Sequence, residues 1–584
     1  MQSKYSLLHL TPYLQKYRLK LGLGFVMIVC TVAVSMISPW VLKYVVDDIQ
    51  LAFAPEKLPG YAALILGVSA VEGFFRFWMR KILIGVSREI EYDLRNDFFA
   101  HLQKMSLSFF QTHNTGDVMS RATNDLNAVR SVLGPGIMYS ATTLVTVVVA
   151  TAILLRLDWK LTLLAYIPLA LASVGVKSVG RQIHDRFEII QEQFSHISTR
   201  VQENLSGIRV VKAFAREESE IDEFKRLNDE YVRRSVSLIR LWGVFYPLMS
   251  ALIGLSAVAL LWYGGRAVAA GSLSLGEFVA FLGYLAMLTW PTIATGWVIN
   301  IFQRGAASMD RILRILQTAP EIRSAPSCSA PEPIRGGLEI RGLSFRYPNS
   351  HRLVLRDINV KVPAGQTLAI VGQTGSGKST LVNLVLRLFD PPETTVFVDG
   401  RDVRQWPLPE LRRMIGYVPQ ETFLFSDTIR ANIAFGTEDG ISDQDVEWAA
   451  RVSAIDGEIQ TFPDQYRTFV GERGITLSGG QKQRVAISRA VIKAPKMLIL
   501  DDSLSSVDTY TEEQILQELR GVMQDRTTIL VSHRISTVKD AHQIVVLQDG
   551  AIVERGTHDT LMAGDGVYAA LYQKQLLEEE LASA

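Results

Sequence analysis

Val371-Gly372-Gln373-Thr374-Gly375-Ser376-Gly377-Lys378-Ser379-Thr380 is the stretch whose residue types and spacing point most directly to chemistry. It fits G-x-x-x-x-G-K-[ST], a loop whose glycines let successive backbone N–H groups face one anion. A helix starting behind it adds partial positive charge. In that setting Lys378 reaches the outer phosphates of a nucleoside triphosphate, and the Ser379 hydroxyl ligates Mg²⁺. The flanks supply the setting. Thr367 to Val371 reads as a buried strand, and Ser379 to Leu388 as a helix.

Two further stretches belong to the same chemistry. Met497-Leu498-Ile499-Leu500 is an apolar strand that ends on Asp501, a carboxylate delivered to the metal. Its strand is expected beside that of the P-loop, with ligands at the carboxyl ends. Leu477-Ser478-Gly479-Gly480-Gln481 opens another helix with small residues, a second anion site. Two anion-binding helix starts around one P-loop suggest a nucleotide held between two copies of the domain. Ile415 to Gln420 reads as a strand running into a loop. The dipeptides Asp399-Gly400 and Asp549-Gly550 follow short apolar runs, as hairpin turns do.

The elements that must position these groups divide the 584 residues in half. A net charge of +1 gives no nucleic-acid footprint, and no nucleic-acid partner is expected. Cys30 and Cys328 are too few and too far apart for a disulfide framework or a thiolate metal site. Residues 1–20 are basic and amphipathic, and suit either an elbow helix in the membrane interface or an ordinary surface helix. Six apolar spans follow, near Leu21–Val41, Gly60–Ile84, Ile137–Leu155, Leu161–Val179, Leu241–Gly264 and Phe278–Phe302. Each approaches the roughly 20 residues needed to cross hydrocarbon. The first is too long for a signal-peptide core. An even count puts the N-terminus and the nucleotide-binding half on one side, the cytoplasm.

The connections after the second and fourth spans are long, polar and rich in Lys and Arg, as the positive-inside bias requires. Ile183, Phe187, Ile190, Phe194, Ile197, Val201 and Leu205 keep helical spacing, so the spans continue as helices into the cytoplasm. Each excursion turns at a helix-breaking segment, Thr112 to Asp117 and Glu203 to Gly207. Glu72 and Arg76 share a helix face inside the second span, where a structural pair and a substrate-pathway role both fit. Pro247 and Pro291 lie in the fifth and sixth spans. Residues 318–337, with Pro320, Pro326, Pro331 and Pro333, form the linker.

With these motifs in order, residues 338–584 resemble the nucleotide-binding domain of ATP-binding cassette (ABC) proteins, and Leu477 to Gln481 match the ABC signature. Residues 21–317 are similar to the six-span exporter domain, the two excursions standing as coupling helices. The implied fold is an all-α six-helix transmembrane domain with long cytoplasmic helical extensions, then an α/β P-loop ABC domain. The resemblance implies ATP and Mg²⁺ as cofactors, and transfers roles where positions match. Tyr347 stacks on adenine. Gly372, Gln373, Thr374, Gly375, Ser376, Gly377, Lys378, Ser379 and Thr380 bind phosphates. Ser478, Gly479, Gly480 and Gln481 bind the nucleotide of a facing chain. Ser379, Gln420 and Asp501 serve the metal, and His533 is the switch at the γ-phosphate. Ser505-Ser506-Val507-Asp508 crosses the dimer interface, and Val470 to Gly474 resembles a segment that marks exporters.

One position departs from the pattern. Most family members follow the metal aspartate with glutamate, which orients the attacking water, and this chain has Asp502. The carboxylate is one methylene shorter, and misplacement of about 1 Å can cost on the order of 100-fold in rate. The expectation is a half-transporter whose own site holds ATP but hydrolyses it slowly, paired with a second half-transporter. A heterodimer is favoured and a homodimer is the alternative. The substrate is hydrophobic or amphipathic, a small molecule, lipid or peptide, moved across the cytoplasmic (inner) membrane. A second reading of the same residues is a non-hydrolytic, ATP-sensing membrane subunit.

Overall fold

The computed structural model describes residues 6–51, 55–324, 334–348, 350–437, 440–505 and 507–583. Two compact units emerge, one of Met1–Phe99 and Met119–Gln317, the other of Ala100–Val118 and Thr318–Ala584.

The first unit is built from long helices. The N-terminal segment is not one helix as the amphipathic pattern suggests. A 3₁₀ turn at Ser6–Leu10 leads to a helix at Thr11–Lys16, and a new helix starts at Arg18. Lys16 and Lys20 pair with Asp93 at 2.7 Å and Glu89 at 2.6 Å, which draws this basic face onto the Leu58–Leu102 helix. Helices follow at Arg18–Ser35, Ile37–Leu51, Leu58–Leu102, Ile137–Leu157, Trp159–Ser206, Glu217–Ala269 and Leu275–Leu316. The first sequence-read span, Leu21–Val41, is divided at Met36 between two of these helices, and each of the other five stretches lies within one helix. Among the described residues, four stretches are long and apolar enough to cross a bilayer: Arg18–Gln50, Pro55–Leu102, Thr115–Leu157 and Leu275–Leu316.

Packing in this unit centres on Ile28, Val32, Met79, Leu83, Leu154 and Phe281. Tyr284 adds a buried hydrogen bond of 2.8 Å to the carbonyl of Met36, satisfying its hydroxyl within the apolar core. At the start of the Leu275–Leu316 helix, Ser274 and Glu277 form a capping box. Asp47 accepts from the Ser274 hydroxyl at 3.0 Å and from the Gly276 N–H at 2.8 Å, and Lys43 reaches Glu277 at 2.9 Å. The Ile37–Leu51 helix is thereby clasped to the start of the Leu275–Leu316 helix. Pro247 and Pro291 sit inside continuous helices. Gly207 ends the Trp159–Ser206 helix, and a short helix at Ile208–Ala213 makes the turn.

Among the described residues the second unit carries ten strands: β1 Leu338–Phe345, β2 Leu355–Val362, β3 Thr367–Val371, β4 Val396–Val398, β5 Arg401–Asp402, β6 Ile415–Val418, β7 Met497–Asp501, β8 Thr527–Val531, β9 Gln543–Gln548 and β10 Ala551–Gly556. They form an antiparallel sheet ordered β2-β1-β4-β5 and a larger sheet ordered β10-β9-β3-β8-β7-β6. In the larger sheet β3, β8, β7 and β6 are parallel and every residue of β3, β7 and β8 is buried. That explains their unbroken apolar runs. The P-loop strand and the carboxylate strand are not neighbours, correcting the sequence expectation. β8 lies between them, with Ile529 paired to both Leu368 and Ile499. Sequence order does not encode which crossover inserts where.

Both Asp-Gly dipeptides turn hairpins. Asp399 and Gly400 take φ of 51° and 75°, and Asp549 and Gly550 take 47° and 80°. Positive φ at both central residues is the turn that matches strand twist.

Ala100–Val118 packs in this unit through its short helix Leu107–Thr112. The Ser106 hydroxyl donates to Glu321 at 3.1 Å, and Ser108 donates to the same carboxylate. His101 Nε2 lies 3.1 Å from the Thr318 carbonyl. Further along the linker, the Leu408 N–H donates to Ser324 and Arg387 to the carbonyl of Arg323. The linker's middle, with Pro326, Cys328, Pro331 and Pro333, lies outside the described residues. Its end is fixed by Asp399, which accepts the N–H groups of Arg335, Gly336 and Gly337 at 2.9, 3.0 and 2.8 Å. Removing a charged acceptor of three N–H groups costs about 2 kcal/mol. Asp399→Ala is therefore expected to lower the melting temperature of the detergent-solubilised chain. Asp399→Asn, which tolerates the left-handed turn and keeps one acceptor, lowers it less.

Candidate functional site

The P-loop follows β3 and ends at the Lys378–Val385 helix. Gly372 is required by space, since a Cβ there meets the Leu547 carbonyl at 2.2 Å. Gly377 is required by its φ of 106°, and its Cβ would fall 2.8 Å from Leu355. The Lys378 ammonium spans the loop, donating to the carbonyls of Gly372 at 2.8 Å and Gln373 at 2.9 Å. Burial pushes its pKa down, while the charges of Asp502 and Asp501 act in the opposite sense. The Ser376 hydroxyl is buried with no protein partner, so the loop presents it for an acceptor from a ligand.

β7 delivers Asp501, which is only 2% exposed, and Ser379 donates to it at 3.2 Å. β8 separates the strands, yet the helix behind the P-loop brings Ser379 across to the carboxylate. Burial raises the Asp501 pKa, and the neighbouring Asp502 charge raises it further against Ser379 and Lys378. The Asp501 carboxylate and the Ser379 hydroxyl are oxygen donors suited to Mg²⁺, which binds through a few protein oxygens plus phosphates.

Asp502 has a left-handed backbone, φ 48°, and its N–H donates to the Val531 carbonyl at 2.8 Å. Its carboxylate is engaged at both oxygens. Oδ1 lies 2.7 Å from His533 Nδ1, and Gln420 Nε2 donates to Oδ2 at 3.4 Å. The residues read from sequence as metal sensor, water-positioning carboxylate and switch thus meet at one group. Tyr347 is placed by a 2.9 Å hydrogen bond between its hydroxyl and Thr380 and by edge contacts with Phe345 and Phe389.

The signature stands apart. Ser478 caps the Gly479–Val491 helix in a capping box with Gln481. Gln481 also donates to Glu458 at 2.8 Å, so its amide is engaged within its own subdomain. Among the described residues, no hydrogen bond or ion pair joins Ser478, Gly479, Gly480 or Gln481 to the P-loop group. Ser505 accepts from Gln483 at 3.2 Å and donates to the Asp502 carbonyl at 3.0 Å, and Asp508 caps the Thr509–Met523 helix. Ser506 and the Arg473 side chain lie outside the described residues. Sequence reasoning missed Gln575, which accepts from the Ile535 N–H at 2.9 Å and donates to the His533 carbonyl. It also missed Glu512, which holds Arg534 and Thr537. Neither sits in a recognisable motif, because each contact closes over more than twenty residues.

Residues 21–292 match the family model for the ABC transporter transmembrane region, and residues 355–505 match that for the ABC transporter. The chain is 36% identical over 570 residues to the probable multidrug resistance ABC transporter ATP-binding/permease protein YheI of Bacillus subtilis, covering 97% of each. The chain belongs to the ATP-binding cassette exporters. An ATP-dependent lipid A-core flippase of Syntrophus aciditrophicus is 35% identical to the exporter, across 93% of this chain and 90% of its own. A solved bacterial Atm1-family ABC exporter with ATP bound superposes with a TM-score of 0.78 at 28% identity, covering 96% of this chain and 98% of that one. The exporter is thus a multi-pass membrane protein that binds ATP with Mg²⁺, couples ATP hydrolysis to transport, and works as a dimer. When bound, Mg²⁺ neutralises phosphate charge during transfer. Ser379 and Asp501 are the side chains that would hold it.

The raised Asp501 pKa has a pH consequence. The metal-binding form is the carboxylate, and burial keeps its proton on at a pH above the ordinary aspartate range of about 4. Acidification is therefore expected to weaken Mg–ATP binding from above that range. Asp501→Asn should lower affinity and flatten the profile, as read by equilibrium binding of a fluorescent ATP analogue across pH.

Proposed function

We propose that this chain is one half of a heterodimeric exporter whose own P-loop site clamps ATP and hydrolyses it slowly. The substrate is a hydrophobic or amphipathic compound of the drug or lipid kind named for its relatives. Six helices cross the cytoplasmic membrane, with the N-terminus and the ABC domain inside. Closure of two ABC domains on ATP drives the outward-open state through the Leu107–Thr112 and Ile208–Ala213 turns. Hydrolysis at the competent site resets it.

The observation that supports slow hydrolysis is the state of Asp502. Its short carboxylate is held by His533 and Gln420, the two groups that would otherwise frame the γ-phosphate and metal. Its left-handed backbone also favours aspartate, since a longer residue there costs roughly 1 kcal/mol. The signature Leu477 to Gln481 keeps its capped helix start, so it is fit to complete the P-loop of a partner. The competent site would pair this signature with the partner's P-loop, and the slow one would use this chain's Lys378.

ATPase assays on the chain alone, on the chain with a partner, and on Asp502→Glu test the reading. The chain alone should turn over slowly, and glutamate should raise its rate by about 10- to 100-fold with a slightly lower melting temperature. Ordinary turnover by the wild-type chain alone, with no gain from glutamate, would sink the degenerate-site reading. No turnover in any combination, with ATP still bound, would favour an ATP-sensing subunit.

A further inference from the structure

The turn that carries His533 is gripped by a side chain from near the end of the chain. Gln575 lies on the Val567–Ser583 helix, 42 residues beyond His533. Its side-chain carbonyl accepts the Ile535 N–H at 2.9 Å, and its amide nitrogen donates to the His533 carbonyl. One side chain thus brackets Arg534, whose φ of −94° and ψ of 126° are extended backbone. A glutamine amide offers a donor and an acceptor together, as the peptide group of a neighbouring strand does.

His533 has little else to aim it. Its side chain is 53% exposed, and among the described residues Asp502 is the one hydrogen-bond partner of its ring, Nδ1 to Oδ1 at 2.7 Å. A ring so loosely packed points where its backbone directs it. Gln575, by contrast, is firmly based. Tyr568, Leu571, Tyr572 and Gln575 share one helix face at i, i+3, i+4 and i+7. Tyr568 is buried, and Leu571 and Tyr572 pack on the same apolar cluster, which also holds Ile535 and Val538 from the turn. Glu554 of β10 accepts the N–H groups of Val567 and Tyr568 at 2.5 and 3.0 Å, pinning the start of the helix.

On the other side of the turn, buried Glu512 takes the Arg534 guanidinium and, at 2.6 Å, the Thr537 hydroxyl. Removing Glu512 would strand a charge and threaten the fold. Gln575 is neutral and only partly buried, so it can be changed without that penalty.

We propose that Gln575 is a positioning residue for ATP hydrolysis, fixing the His533 peptide so that the ring meets Asp502 and the γ-phosphate. It acts through His533 alone, and so rests on the reading of His533 as the switch at that phosphate. The competing account is a clamp that only stabilises the fold.

Phosphate release from radiolabelled ATP by the dimer in nanodiscs, under single-turnover conditions that register even a slow site, separates the two. Gln575→Leu removes both hydrogen bonds and should slow hydrolysis about 10-fold, with affinity for a fluorescent ATP analogue unchanged. In a His533→Ala background the same change should add nothing, since the group it positions is gone. Gln575→Glu supplies a donor only while its carboxyl is protonated. Its rate, taken as a ratio to wild type at each pH, should therefore approach wild type in acid and fall as the pH rises. Wild-type hydrolysis by Gln575→Leu, an equal further loss with and without His533, or a Gln575→Glu rate matching wild type at every pH would overturn the positioning role alone. An unchanged rate in His533→Ala would defeat the switch reading of His533 and the positioning role with it.

Discussion

Two carboxylates side by side at the end of β7, with one half-buried ammonium near them, are the constraint around which the nucleotide half is arranged. Asp501 is buried among apolar strands and its charge is poorly solvated there. Lys378 is desolvated as well, and each charged group makes the other tolerable. The Ser379 hydroxyl, the Gln420 amide and the His533 ring complete the set with hydrogen bonds to one carboxylate or the other. Such a cluster has strong electrostatic reason to take up a divalent cation with its phosphates. Nucleotide binding here relieves a stress already present in the fold.

Much of that cluster was legible in the sequence, because its members sit in local patterns. A P-loop requires its glycines where the chain passes the Leu547 carbonyl and where φ turns positive. A buried parallel strand announces Asp501 by its unbroken apolar run. The Asp-Gly hairpins follow from turn geometry alone. What escaped was non-local. β8 enters between β3 and β7 only after both have been laid down in sequence, and nothing in either strand signals a gap. Gln575 reaches back to His533 from the C-terminal helix. Gln481 matched its motif, while its side chain proved to be held by Ser478 and Glu458, a helix-capping function that the pattern cannot separate from ligand binding.

The membrane half illustrates a different limit. Apolar length located its helices, but the polar contacts that tie them together lie at their ends and along their polar extensions. Asp47 with Ser274 and Gly276, Lys43 with Glu277, and Asp125 with Arg311 each join positions more than 180 residues apart. These are the contacts that specify which helix lies beside which, since apolar faces in a bilayer discriminate weakly. On the basic N-terminal face, Lys16 and Lys20 pair with Asp93 and Glu89 across 77 and 69 residues of sequence.

Ala100–Val118 leaves the first unit and returns to it, contributing its middle to the second through Ser106, Ser108 and Glu321. The polypeptide therefore passes between the two units three times, after Phe99, after Val118 and after Gln317. A single cut in the proline-rich linker leaves two covalent passages intact. A nucleotide module excised at the linker alone would lack a native piece of itself, the segment Ala100–Val118.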